Sequence, residues 1–489
     1  MSMIKSHGLL VLTLGAVLGG LVACSDDGEL GGAGSSSGGA SSGAASSSGT
    51  TGTETGSSGG QSSGGSVVKP VEKLSGDITA SRTLSSAKDY VLEGLVTVKP
   101  GAVLTIEKGT TIKGDNASKA ILLVEAGAKL VAQGTADEPI VFTSQAAEGQ
   151  KRAGDWGGLV LLGKAPVNLP SPSVEGILKN GNTTTYGGAD ENDSSGVLSY
   201  VRVEYSGVVL SQDNEVNGIT FAGVGRGTKV DHVQVRHTLD DCFEFFGGTV
   251  DAKYLVCDRN QDDGFDMDNG YQGRLQFLVL QQDPTHPGED NGLEIDNDAT
   301  GSANAPLTSP QVYNVSLFGK NADVDQAQYG ILVRRNARGT YKNFVVTGFE
   351  AGLDVRDAST AAAVNAQGKE SLFIGNSLFF GNIGAGVTDG ITYPEPLGGT
   401  KPNADNDGNF DELGWLKDAG RSNRFTNPGI PAPFNGSAPV FSPPKSLTDG
   451  AAVPPADGFF DAAATYMGAF KDAGDAWATT GKWVVWSEN

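Results

Sequence analysis

The feature that most constrains this chain of 489 residues is a short apolar triplet that returns at an almost even interval. One anchor residue precedes each triplet: Gly218 (Ile219, Phe221), Cys242 (Phe243, Phe245), Gly264 (Phe265, Met267), Gly292 (Leu293, Ile295), Gly330 (Ile331, Val333) and Gly352 (Leu353, Val355). The intervals are 24, 22, 28, 38 and 22 residues, a coil of 22–24 residues with insertions in two turns. A second apolar run precedes most anchors: Val230 to Val235, Lys253 to Val256, Leu275 to Leu280, Val312 to Phe318 and Phe344 to Val346. Strands this short, with period-2 patterning and no helical stripe between them, bury their apolar sides only by stacking repeat on repeat. The expected fold is therefore all-β, a right-handed parallel β-helix over residues 67–390. About a dozen coils at about 4.8 Å would make a rod of roughly 60 Å. An antiparallel sandwich is the alternative, and the coil-like interval speaks against it.

The early part of this region follows the same scheme. Val96 to Ile112 and Leu122 to Gly134 alternate apolar and polar residues between glycine turns at Gly101, Gly109 and Gly127. Of the chain's 71 glycines, 53 lie in residues 67–489, above the usual share, and a solenoid places them at corners that need φ > 0. The rest sit in two other segments. Residues 1–23 read as an export signal, with Lys5 ahead of an apolar stretch too short to be a stable membrane span. The signal ends in Leu21-Val22-Ala23-Cys24, which resembles the lipobox of bacterial lipoproteins and implies lipidation at Cys24, with palmitate among the acyl chains. Ser25 resembles the sorting residue of outer-membrane lipoproteins. The remaining residues of segment 24–66 hold 14 Gly and 14 Ser in 42 positions, a flexible tether spanning about 35 Å. The expected partner is thus a lipid bilayer. A net charge of −22 argues against nucleic acid, because the long-range field repels polyanions.

Residues 391–489 leave the coil period. Pro431, Pro433, Pro443 and Pro444 do not suit central strands, so this is read as an irregular cap rich in proline and aromatic residues. Tyr466, Phe470, Trp477, Trp483 and Trp486 are expected to pack over the last coils, with a carbohydrate-stacking platform as the alternative.

Four stretches carry a family resemblance. Asp155-Trp156-Gly157-Gly158-Leu159, Tyr186-Gly187-Gly188, Tyr200-Val201-Arg202-Val203-Glu204-Tyr205-Ser206-Gly207 and Asp240-Asp241-Cys242-Phe243-Glu244-Phe245-Phe246-Gly247-Gly248 resemble a group of uncharacterised bacterial β-helix lipoproteins. The resemblance implies fold and surface location, and it supplies no catalytic residue.

Register singles out one constellation. If the first and third residues after each anchor point inward, the second and fourth point outward. The second-position column reads Thr220, Glu244, Asp266, Glu294, Leu332, Asp354, and the fourth reads Ala222, Phe246, Asp268, Asp296, Arg334, Arg356. Asp240-Asp241, Asp262-Asp263 and Asp290-Asn291 lie just before three anchors. Carboxylates stacked about 5 Å apart repel by roughly 1–3 kcal/mol per pair, so something must offset them. Three offsets are available: Ca²⁺ held by Glu244, Asp266, Asp268, Glu294 and Asp296; protonation of some carboxyls; or pairing with Arg334, Arg335 and Arg356. The plain structural reading is that corner Asp and Asn side chains bond backbone N–H groups while the outer acids face water. The enzymatic reading takes Asp240, Asp241, Asp262 and Asp263 as acid pairs of a glycoside hydrolase or lyase. Asp240-Asp241-Cys242 is similar to a motif of polygalacturonases, but that family's Gly-His-Gly and Arg-x-Lys elements have no counterpart here.

Other chemistries find less footing. No His-x-x-x-His or Cys-x-x-Cys spacing suggests zinc, and His232 is read as an outward residue of an ordinary strand. Cys257 lies seven residues before Gly264, as Val235 lies seven before Cys242, so Cys257 is expected over Val235 and on a different face from Cys242. Two separate thiols are therefore expected. The functional expectation is a lipid-anchored, non-catalytic binding or structural module of the cell envelope, facing the periplasm or the cell surface. Its ligand would be a polysaccharide or a surface protein. A polysaccharide-active enzyme is the alternative.

Overall fold

The computed structural model describes residues 69–177, 184–211, 214–283, 291–322, 328–364, 371–382 and 407–487. The expected signal, Cys24 and the tether lie outside them. Among the described residues, twenty-three strands join in one continuous sheet, paired in parallel throughout, and the chain is a right-handed parallel β-helix. One face stacks short strands, among them Ile121–Val124, Gly158–Leu162, Ile219–Ala222, Phe243–Phe246, Phe265–Asp268, Leu293–Ile295 and Ala351–Val355. Ile219 pairs with Phe243, Phe243 with Phe265, Phe265 with Leu293, Leu293 with Ile331 and Ile331 with Leu353. That is the register read from the anchors, residue for residue.

The other two faces are halves of longer strands, such as Gly196–Glu204, Lys229–Arg236, Asp251–Asp258 and Arg274–Gln281. Each bends at one residue with positive φ: Tyr200, His232, Tyr254, Phe277, then Asn314 and Asn343. Asparagine tolerates this conformation, whereas an aromatic residue there costs about 1–3 kcal/mol. The aromatic bends stack on one another, with ring centroids 4.4 Å apart for Tyr200–His232, 4.3 Å for His232–Tyr254 and 4.9 Å for Tyr254–Phe277. Stacking contributes about 0.5–1.5 kcal/mol per pair beyond burial. His232 does point away from the lumen, but it is a bend residue in an aromatic stack, not a residue of a straight strand.

The anchors are glycine because the lumen is narrow. A Cβ on Gly218 would sit 2.4 Å from Val235 Cγ1, and one on Gly330 would sit 2.2 Å from Val346 Cγ1. The inward side chain of the long strand fills the space that the anchor leaves. In one coil the anchor is Cys242, and its partner across the lumen is Cys257; the two form a disulfide. This corrects the expectation of two separate thiols. Cys257 does stack on Val235, but different faces of one coil meet inside the lumen, so a difference of face does not separate the sulfurs.

The motifs behind the resemblance have structural uses. Trp156 is fully buried, stacks on Phe142 and donates its indole N–H to the Glu204 carbonyl at 2.8 Å. Gly158, at φ +147°, passes so close to the next coil that a Cβ would lie 2.2 Å from the Asn217 carbonyl oxygen.

Beyond Phe379 the described residues are irregular apart from the short helix Glu412–Lys417 and one turn of 3-10 helix. Its aromatic end does not cover the last coils. Instead it runs back along the flank: Asn314 Nδ2 donates to the Tyr466 carbonyl at 2.7 Å, Gln234 and Val485 exchange two hydrogen bonds of 2.8 Å, and Lys482 N–H reaches the Ala136 carbonyl at 2.7 Å. Phe441, Phe470, Trp483 and Trp486 bury themselves against outward Val256, Val279 and Phe318. Packing against the core near its C-terminal end falls to Phe410, Leu413, Trp415 and Phe425. With Tyr466, Phe470, Trp483 and Trp486 buried and Trp477 partly buried, the rings of this C-terminal strap form no open stacking platform. Among the described residues, no helix is long and apolar enough to cross a membrane.

The cross-lumen pairing predicts that thiol titration of the unfolded, nonreduced chain finds neither Cys242 nor Cys257 free. Cys257→Ser should lower the unfolding free energy by about 3 kcal/mol, the scale for a loop of this length, read from the denaturation midpoint.

Candidate functional site: a covered carboxylate ladder

The corner before each anchor is built from side chains that bond the next coil. Asp263 N–H donates to Asp241 Oδ1 at 2.7 Å, Asn291 N–H to Asp263 Oδ1 at 2.7 Å, and Tyr329 N–H to Asn291 Oδ1 at 3.1 Å. One oxygen of Asp241 and one of Asp263 are thus committed to the backbone, as the plain structural reading expects. Each also has a carboxylate oxygen within 4.8 Å of acids on the short-strand face.

That face is not open. Residues 164–177 and 184–190 fold over it: Asn168 N–H donates to the Asn269 carbonyl at 3.0 Å, Asn168 Nδ2 to the Asn297 carbonyl at 2.7 Å, and Tyr186 stacks on Phe246 at 6.3 Å. A hairpin of Val208–Ser211 and Asn214–Val216 lies beside it, close enough that a Cβ on Gly176 would meet the Glu215 carbonyl oxygen at 2.2 Å. Val174, Ile177, Tyr186 and Val216 from these segments cluster with outward Leu123, Val160, Leu162 and Ala222. Glu244 is consequently 4% exposed, Asp241 and Asp263 5% each, and Asp240 6%. Asp266 and Asp268 are partly buried, and Asp262 is exposed.

The ladder divides into two parts. Toward its C-terminal end arginines neutralise it: Arg334 pairs with Glu294 and, through Nε at 2.8 Å, with Asp296; Arg335 reaches Asp296 at 2.6 Å; Arg356 pairs with Asp354 at 2.7 Å. Toward its N-terminal end the leading neighbours are carboxylates. Burial, then Glu215 and Glu175, push Asp240 up to about 7. Burial, then Asp263, Asp262 and Asp240, raise Asp241 well above the carboxylate range. Burial with Glu175 and Asp268 does the same to Glu244, and burial with Glu244 and Glu294 to Asp266. Asp268 is pushed up to about 7 by burial and Asp296, although its Oδ1 accepts the Asn269 N–H.

Among the described residues, three overlapping triads bring carboxylate oxygens within 4.8 Å of one another: Asp240, Asp241 and Asp262; Asp241, Glu244 and Asp266; Asp263, Asp266 and Glu294. The four residues read as acid pairs and three of the five read as cation ligands, Glu244, Asp266 and Glu294, therefore belong to one connected cluster. Asp268 and Asp296 fall outside the triads. Glu175 and Glu215 add to the cluster from the covering segments; nothing in the coil period points to them, because they lie in insertions.

A family model described as a pectate-lyase-like beta helix domain matches residues 76–388, and the chain belongs to that family. No curated protein and no solved structure matches it.

The raised carboxyls set a pH dependence. Asp240 and Asp268 hold their protons up to about pH 7 in the folded chain, against an ordinary value of 3.8. The associated stability is full below the unfolded value and is lost as pH rises through the folded one. In chelator, the protein should melt at a lower temperature at about pH 8 than at about pH 5, and Asp240→Asn combined with Asp268→Asn should flatten the difference.

Proposed function

We propose that this chain is an exported, lipid-anchored protein of the cell envelope whose β-helix is a non-catalytic binding or structural module. The observation that carries the reading is the burial of Asp241, Glu244 and Asp263 beneath residues 164–177, 184–190 and the hairpin, with Asp241 and Asp263 bonded into the corner ladder. Cleavage of a glycosidic bond needs two carboxyls that reach opposite sides of a sugar linkage, and acids under a cover of packed side chains do not present that geometry. Lipobox-like Leu21-Val22-Ala23-Cys24 supports the anchor, and the glycine- and serine-rich segment after it supports a tether.

A second reading, a polysaccharide-active enzyme, is favoured by the family description and by Asp240, a carboxyl with its pKa near 7 beside exposed Asp262. Incubation with acidic and neutral polysaccharides separates the two. No shortening of any polymer is expected, and a product that disappears in both Asp241→Asn and Asp263→Asn would establish the enzyme instead. For the anchor, Cys24→Ser should abolish incorporation of labelled palmitate and shift the protein from the membrane to the soluble fraction. Unchanged labelling would remove the anchor from the reading.

A further inference from the structure

We propose that Asp241, Glu244 and Asp266 bind one Ca²⁺ ion between the short-strand face and the two segments that cover it. The inference is independent of whether the chain acts on polysaccharide. Of the three triads, this is the one in which no member is joined to an arginine and none is exposed, its hydrogen bonds being those of Asp263 N–H to Asp241 and Asn217 Nδ2 to Glu244 Oε2. Glu294, in the triad with Asp263 and Asp266, is paired with Arg334, and Asp262, in the triad with Asp240 and Asp241, faces solvent. The central triad shares Asp241 with one neighbour and Asp266 with the other, so an ion there relieves the whole run.

The second observation is a set of carboxylate oxygens without partners. Glu244 Oε1 and Asp266 Oδ1 are buried and accept no hydrogen bond, and neighbouring Asp240 Oδ2 is in the same condition. A buried acceptor of this kind costs about 1–3 kcal/mol, and more when charged. Glu244 is only 4% exposed, so water from the bulk does not satisfy it. The segments that create this burial bring in Glu175 and Glu215, which deepen the negative potential at Asp240.

The donor chemistry selects the ion. All the ligands are carboxylate oxygens, which suit a hard cation; zinc sites favour His and Cys, and of the soft residues next to the triad in sequence Cys242 is locked in its disulfide and Met267 is buried in the core. Oxygens within 4.8 Å of one another match the span across an ion with bonds of about 2.4 Å, and Ca²⁺ accepts irregular sets that Mg²⁺, with shorter bonds and octahedral demands, does not. Asp241 keeps one oxygen for the ion while the other holds the Asp263 N–H.

The test uses the whole mature chain, stripped with a chelator and titrated with Ca²⁺ alone at about pH 8, where competing protonation is weakest. The expected result is a rise in melting temperature of roughly 3 °C or more, with Mg²⁺ giving less. Glu244→Gln and Asp266→Asn should each remove that rise while melting no lower than the parent in chelator. Tb³⁺ gives a local readout: Tyr186 feels both Asp268 and Glu244, so tyrosine excitation should sensitise terbium emission that Ca²⁺ displaces and Tyr186→Phe removes. A melting temperature unmoved by millimolar Ca²⁺ would overturn the proposal in favour of carboxyls held protonated. Emission that survives Tyr186→Phe would place the ion elsewhere and overturn the assignment. If the acid variants do not fold, the parent titration and Tyr186→Phe still decide the matter.

Discussion

Contact across the lumen is the constraint on which the rest of this structure depends. A parallel β-helix has room inside for one layer of side chains, and the long strand fills it with Val235, Leu280, Leu317 and Val346. At the opposite corner no Cβ fits, so glycine recurs at Gly218, Gly264, Gly292 and Gly330. Beyond the lumen side chains, carbonyl oxygens of the next coil crowd the same spot, at 2.4 Å in the case of Gly292. Overpacking here has no slack to absorb it. The disulfide obeys the same geometry: where the anchor does carry a side chain, that side chain is bonded to the residue that would otherwise crowd it.

With the lumen filled by a single layer, the rest of the apolar surface lies outside the helix and needs covers. Residues 164–177, 184–190 and the hairpin protect Leu123, Val160 and Leu162, and the C-terminal strap protects Val256, Val279 and Phe318. The strap is fixed by polar side chains on the bends and strands, Gln234, Gln276, Asn314 and Asn343, each bonding its backbone. An irregular segment without strand partners has its amides and carbonyls satisfied in this way. It also closes over the aromatic bends, with Trp483 edge-on to His232 at 5.4 Å and Trp477 edge-on to Tyr254 at 5.2 Å.

Much of this was legible in the sequence, and the division is physical. Stacking between coils depends on residues one period apart, so the anchors predicted the register of the short-strand face and the acid columns on it. Contacts across the lumen depend on where the chain turns, which the period does not encode, and Cys242–Cys257 was misread for that reason. Covers are further still from local pattern: Gln234 meets Val485 across 251 residues. The positive φ at Tyr200, His232, Tyr254 and Phe277 left no trace either, because aromatic residues suit ordinary strands as well. Of the candidate site, the carboxylates were legible and their burial was not, since burial comes from the covers.

The two halves of the ladder differ in what stands at the fourth position after the anchor. In the later coils that position holds Arg334 and Arg356, whose guanidinium groups reach Asp296, Glu294 and Asp354. In the coils of Glu244 and Asp266 it holds Phe246 and Asp268. Phe246 has a different task, as its ring stacks on Tyr186 and helps seat the covering segment. An arginine there would neutralise Glu244 but would place a charge within the apolar contact that docks the cover. Docking and neutralisation thus compete for one position, and the cover takes it. The charge of Asp241, Glu244 and Asp266 then needs an offset from outside the side-chain inventory of these coils, either protons or a small hard cation.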